Sequence, residues 1–113
     1  MTSFCKEIYK LVGLSNFLAW KRRIDIVLKE NEVIDHVNGK VSKPSEDQAL
    51  SEYMEKDLRG QEILMESFKD PLIPYVVELE TSKEIYDKLA QLFFESAIRK
   101  VISLRYDLYK LNV

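Results

Sequence analysis

The sequence contains a single cysteine, Cys5, and a single histidine, His36, among its 113 residues. One cysteine excludes an internal disulfide framework and a multi-cysteine zinc cluster, and it is compatible with a reducing compartment, so we expect a cytoplasmic protein. A Cys–His nucleophile pair would need a third group, and none is indicated. Glycine-rich phosphate loops and Gly-x-Ser-x-Gly turns are also missing. We therefore predict that this chain is not an enzyme and binds no metal or cofactor.

The chain also has little excess of charge of either sign and no long hydrophobic run. Lysine and arginine total 17, aspartate and glutamate total 19, and the formal net charge is −2. This near-balance excludes a generally basic nucleic-acid-binding protein and a polyacidic disordered tail. No apolar stretch approaches the roughly 20 residues that span a bilayer, so we predict no membrane segment.

Glycine and proline are scarce, with three of each, and apolar residues recur at three- and four-residue steps, as in amphipathic helices. The pattern predicts helices over 16–30 and 45–69, a short helix from Pro74, a helix that begins near Thr81 and a last helix capped by Ser96. No segment shows the clear period-two alternation of a half-buried strand. We therefore predict an all-α fold, a compact bundle of four to five helices whose apolar stripes cover one another.

This helical domain is predicted to occupy residues 15–113, preceded by an arm, residues 1–14, that is either weakly structured or a short helix. We expect Ser15 or Asn16 to cap the first helix. Residues 45–48 (SEDQ) and 81–84 (TSKE) both have the form of a capping box. Gly60 either interrupts the long helix or lets another helix approach closely.

The apolar stripes of the predicted helices identify candidate core residues. On the long helix the predicted stripe includes Met54, Leu58 and Met65, whereas its glutamates fall on a solvated polar face. The candidates for the structural core are Phe17, Trp20, Ile24, Leu28, Leu58 and Leu89.

Three aromatic residues, Tyr9, Phe94 and Tyr106, do not fall clearly on these stripes. Aromatic residues are enriched among the residues that dominate binding at protein interfaces, so these three are candidates for self-association. Single exposed apolar residues are nevertheless common on protein surfaces and need no function.

A run of three cations, Lys21, Arg22 and Arg23, is a candidate contact for RNA phosphates, with Trp20 nearby as a stacking group. Trp20 belongs to the apolar stripe, however, which favours its burial in the core. Without a larger basic patch, we expect RNA binding by this chain to be weak or absent.

The small net charge conceals a polarity along the chain. Residues 1–30 carry a net charge of +3, residues 31–70 carry −5, and residues 71–113 are balanced. Opposite charges of this kind either pair between two copies of the chain or pair within one copy and with water.

Four stretches together resemble the Gag polyprotein of copia-type LTR retrotransposons, especially those of plants. Residues 11–23 (LVGLSNFLAWKRR) show its opening pattern of Gly13, Asn16-Phe17 and Trp20. The segments 73–76 (IPYV), 79–89 (LETSKEIYDKL) and 103–110 (SLRYDLYK) look like the following part of that Gag, in the same order. The resemblance spans about residues 11–111.

The resemblance implies a structural protein, the N-terminal lobe of a retrotransposon capsid, whose helical units self-assemble into a shell around RNA. It implies a homo-oligomer that also associates with full-length Gag and has no membrane partner. Family members usually continue into a second helical lobe and often a zinc knuckle that binds RNA, and we find neither within these 113 residues. The alternative is a domesticated or truncated Gag fragment that acts as a protein–protein interaction module, for example a modulator of assembly.

One stretch departs from the family pattern. Residues 95–100 (ESAIRK) are not the small, polar residues expected between the last two helices, so this junction is alternatively a continuous helix. A longer helix there would favour exchange of the final segment between protomers.

Overall fold

The computed structural model describes residues 5–111, and the side chains of residues 5–105. Within this part of the chain the fold is all-α, as the sequence predicts, and it contains no strand apart from an isolated bridge between Leu11 and Phe68. Residues 5–111 contain four α-helices: α1 (Phe17–Glu30), α2 (Ile34–Val37), α3 (Asp47–Glu66) and α4 (Ser82–Leu111). Three short 3-10 helices occupy Glu7–Tyr9, Leu14–Asn16 and Asp70–Tyr75.

The segment before α1 is joined to the helical body by Leu11. This residue is fully buried in the core, its N–H donates to the carbonyl of Ser67 (2.9 Å), and its carbonyl accepts from the N–H of Lys69 (2.9 Å). We expected a side-chain cap on α1 from Ser15 or Asn16, and the structure shows none. The Nδ2 of Asn16 donates instead to the carbonyl of Lys10 (2.8 Å). Asn16 therefore holds the loop that carries Leu11, rather than the first turn of α1.

Five of the six candidate core residues are buried, namely Phe17, Trp20, Ile24, Leu28 and Leu89. The prediction for Leu58 is wrong, because its side chain is 56% exposed. The face that α3 turns to the interior carries Asp57 and Gly60 as well as Ile63 and Leu64. Since two of these residues are not hydrophobic, a search for the most apolar stripe selects the wrong side of this helix.

Gly60 is the point of close approach between α3 and the start of α4. The helix runs through Gly60 without a break. A Cβ atom at this position would lie 2.9 Å from the Cβ of Ser82 and 3.3 Å from Cγ2 of Val37. Of the two alternatives that the sequence left open, close helix approach is therefore the one observed.

The two predicted capping boxes have different outcomes. Thr81 caps α4, because its Oγ1 accepts a hydrogen bond from the N–H of Glu84 at 3.1 Å. At α3 the residue before the helix is Glu46, and no side chain caps the helix there. The short helix predicted from Pro74 is replaced by the 3-10 helix Asp70–Tyr75, which contains two prolines that have no N–H to donate.

The last two predicted helices are one continuous helix. α4 has 30 residues, Ser96 does not begin a new helix, and the alternative of an uninterrupted junction is correct. A helix of this length spans about 45 Å, whereas the two shorter dimensions of the molecule are 27 and 26 Å. The second half of α4 therefore projects from the body, and the longest dimension reaches 64 Å. Neither α4 nor any other described helix is apolar enough over a sufficient length to cross a bilayer.

Candidate functional site

The three cations of the 21–23 run point in different directions, because successive residues of a helix are about 100° apart. Lys21 forms an ion pair with Asp25 (3.0 Å) and lies beside the ring of Tyr86. Arg23 stacks on the ring of Tyr9, with its guanidinium carbon 4.1 Å from the ring centre. Arg22 is exposed between them. The structure does not bring the run together into one basic surface.

Tyr9, a candidate for self-association, is partly buried and lines a mainly apolar groove between the N-terminal segment and α1. The groove has a volume of about 290 Å³, and Trp20 forms part of its wall. The indole Nε1 of Trp20 is buried and has no hydrogen-bond partner within the described residues. Cys5 also lines this groove, and burial raises the pKa of its thiol, which disfavours the reactive thiolate.

His36 lies elsewhere, on α2, where its imidazole packs against the ring of Tyr53 with 5.0 Å between the ring centres. Burial, together with the nearby positive charge of Lys56, lowers the pKa of His36. The structure thus places the single histidine and the single cysteine in separate environments. No group of three or more potential metal ligands occurs among the described residues.

The buried carboxylate of Asp57 is part of a polar cluster that the sequence did not reveal. Its Oδ1 accepts hydrogen bonds from the N–H (3.0 Å) and the hydroxyl (2.7 Å) of Ser82, the first residue of α4. Its Oδ2 accepts from Nε2 of Gln61 (2.7 Å), which also donates to the carbonyl of Glu80. A negative charge at the positive end of a helix is stabilising, so Asp57 anchors α4 on α3.

A second carboxylate, Asp25, links α1 to α4. Its Oδ1 accepts a hydrogen bond from the hydroxyl of Tyr86 (2.6 Å), and its Oδ2 pairs with Lys21. Burial and the hydrogen bond to Asp25 raise the pKa of Tyr86 to about 12. Both polar clusters therefore join helices, which gives them a structural role.

Exposed apolar residues outside the core include one group on α4 and one on α3. We call the first the α4 patch; it consists of Phe94, Ile98 and Ile102, which follow one another at four-residue steps along that helix. We call the second the α3 patch; it consists of Met54, Leu58 and Met65. The patches therefore contain one residue predicted for self-association, Phe94, and one predicted for the core, Leu58.

The three aromatic candidates for self-association do not form a common site. The ring of Phe94 is half exposed and packs edge-on against Phe17, with 6.4 Å between their centres. Tyr9 stacks with Arg23 at the other side of α1. The side chain of Tyr106 lies outside the described part of the chain.

No protein-family model matches the chain, and neither the curated proteins nor the solved structures include a significant match.

Proposed function

We propose that this chain is a structural self-association domain of the type found in the capsid region of copia-type Gag polyproteins, and that it is not an enzyme. The observation that carries the proposal is the presence of two separate apolar patches, on α3 and α4, that the protein's own core leaves uncovered. The resemblance of residues 11–111 to Gag supplies the biological setting, with assembly of capsid-like particles in the cytoplasm.

Assembly of this kind depends on the burial of apolar surface and requires no reactive group. The core already contains the apolar residues that hold the helices together, including Phe17, Leu28 and Leu89. Met54, Leu58 and Ile102 stabilise the isolated chain little, because they remain in contact with water. Covering them with a second protein surface would yield free energy at about 25 cal/mol per Å².

Two kinds of protein partner fit the proposal: other copies of this chain and full-length Gag chains that carry the same lobe. RNA is a poor partner for this part of the chain, because Lys21 is engaged by Asp25 and Arg23 by Tyr9. We expect packaging of RNA to require a further, basic region, as in other Gag polyproteins.

Sedimentation equilibrium over a wide concentration range tests the proposal directly. We expect a mass that rises with concentration above that of the 13.3 kDa monomer. A strict monomer up to millimolar concentration would contradict self-association. Val77→Asp places a new negative charge on an exposed residue outside both patches, and we expect it to leave the association unchanged.

Co-sedimentation with a full-length copia-type Gag separates the main proposal from its alternative. A capsid lobe associates with itself and also enters particles formed by full-length Gag. A modulator of assembly binds Gag while remaining monomeric alone.

A further inference from the structure

We infer that self-association is head to tail: the α4 patch of one copy docks on the α3 patch of a second copy. This inference rests on the proposed self-association and specifies its surfaces. Each contact then joins the α4 patch of one chain to the α3 patch of another. A two-fold dimer would instead join two α4 patches or two α3 patches.

The α4 patch has the properties of a docking element. Ile98 and Ile102 are 37% and 60% exposed and follow Phe94 at four-residue steps, so the three side chains lie along one side of the helix. The backbone there is fully helical, so the side chains are presented on a rigid rod and little ordering entropy is lost on binding.

The α3 patch is long enough to cover the α4 patch. Met54, Leu58 and Met65 are spaced by four and seven residues, so they form one stripe along the helix. From Met54 to Met65 the helix rises about 16 Å, and from Phe94 to Ile102 it rises about 12 Å. The α4 stripe can therefore be covered along its full length.

The charges of the two elements are opposite. α3 contains six acidic and two basic residues, whereas residues 94–111 contain four basic and two acidic residues. Beside Leu58, Glu55 and Glu62 line a surface depression of about 360 Å³, together with Lys56 and Arg59.

Charge also argues against pairing of like patches. Two α4 patches would bring two net positive helices together, and two α3 patches would bring two net negative helices together. Only the pairing of an α4 patch with an α3 patch brings opposite net charges together. On α4, the exposed Arg105 follows Ile98 by seven residues and Ile102 by three, so it lies on the side of the patch and can face the glutamates of α3.

The α3 and α4 patches of a single chain cannot cover each other. The first residues of α4 are fixed on α3 by the contacts of Asp57 and Gly60 with Ser82. Because α4 continues from there as one uninterrupted helix, its second half cannot fold back without breaking the helix. Each copy therefore presents an uncovered α3 patch and an uncovered α4 patch. Head-to-tail contacts between such copies generate rings or open chains.

The test uses two variants, each of which disables one patch. Leu58→Asp damages the α3 patch and Ile102→Asp damages the α4 patch; both residues are exposed, so neither change disturbs the core. We expect each variant alone to associate at least tenfold more weakly than the natural chain. Circular dichroism of both variants verifies the fold, and Val77→Asp is the matched control.

The decisive measurement is the mass of an equimolar mixture of the two variants. Each variant retains the patch that the other lacks, so we expect the mixture to form a one-to-one dimer that grows no further. If Ile102→Asp abolishes association while Leu58→Asp has no effect, pairing is between α4 patches and the inference is overturned. The reverse result means pairing between α3 patches and also overturns it.

Charge exchange provides a second test that leaves the apolar residues intact. Glu55→Lys with Glu62→Lys in one variant, and Arg105→Glu in another, should each weaken association at low salt. Combining all three changes in one chain should restore it. Lack of restoration would contradict the inference, whereas a monomeric natural chain would contradict the proposed function itself.

Discussion

Asp57 of α3 holds the first residue of α4, Ser82, through two hydrogen bonds to one carboxylate oxygen, from the backbone N–H at 3.0 Å and from the hydroxyl at 2.7 Å. The two residues are 25 positions apart in the sequence. Both are buried, so neither group can replace its partner with bulk water. This contact fixes where the longest helix begins.

Replacing Asp57 with alanine should therefore destabilise the protein strongly. Loss of the carboxylate leaves a buried N–H and hydroxyl without an acceptor, and we expect the free energy of unfolding to fall by about 3 kcal/mol. Asp57→Asn keeps one acceptor oxygen, so its free energy of unfolding should lie between those of the natural protein and Asp57→Ala. Urea denaturation measures the change. Asp87→Ala, which removes an exposed carboxylate paired with Lys83, is the control and should change stability by less than about 0.5 kcal/mol.

Gly60→Ala should also destabilise the protein, although alanine is the better helix former by about 1 kcal/mol. The added methyl would lie 2.9 Å from the Cβ of Ser82, which forces α3 and α4 apart. We expect a net loss of about 1–2 kcal/mol in urea denaturation. Gly13→Ala is the matched control, since no atom lies within 4 Å of its added Cβ. Equal effects of the two changes would contradict the close approach at Gly60.

Ile63→Ala and Leu58→Ala distinguish the true interior face of α3 from its apolar but exposed side. Ile63 is fully buried, so its truncation should cost about 2–4 kcal/mol of unfolding free energy. Leu58 is exposed, and its truncation should cost less than about 0.5 kcal/mol in the monomer. Thermal and urea denaturation at low protein concentration measure both. A large loss at Leu58 under these conditions would place it in the core after all.

Tyr86 should make stability depend on alkaline pH. Its pKa is raised from 10.0 to about 12, first by burial and then by its hydrogen bond to Asp25. The phenol ionises more easily in the unfolded chain, so its contribution to stability is complete below about pH 10 and is lost as the pH rises towards 12. Urea denaturation between pH 8 and pH 11 should show this fall in the natural protein. Tyr86→Phe has no ionisable phenol there, so its stability should fall less steeply over the same range.

Much of the fold follows from patterns within single segments. The stripe of Phe17, Trp20, Ile24 and Leu28 specifies α1 and its buried face, because all four positions contact the same core. Thr81 and Glu84 mark the start of α4 for a similarly local reason, since the capping hydrogen bond joins residues three apart.

The features that sequence patterns missed depend on contacts between distant segments. Asp57 is buried because its carboxylate accepts hydrogen bonds from Ser82, a contact between distant segments that the sequence pattern does not show. The pattern therefore placed the neighbouring Leu58 in the core instead. Asn16 has the side chain of a helix cap, but the nearby carbonyl of Lys10 engages it instead. The two exposed patches were likewise hidden, because an apolar stripe looks the same whether it faces the interior or water.

The core holds α4 only as far as Ala97, and the rest of the helix acts as a lever. A change of 5° in the direction of the helix beyond Ala97 would move its far end, about 21 Å away, by about 2 Å. If neighbouring subunits are joined through that segment, the same bend sets the angle between them. The curvature of an assembled particle would then be adjusted by a small bend in one helix, with no change in the surfaces that touch.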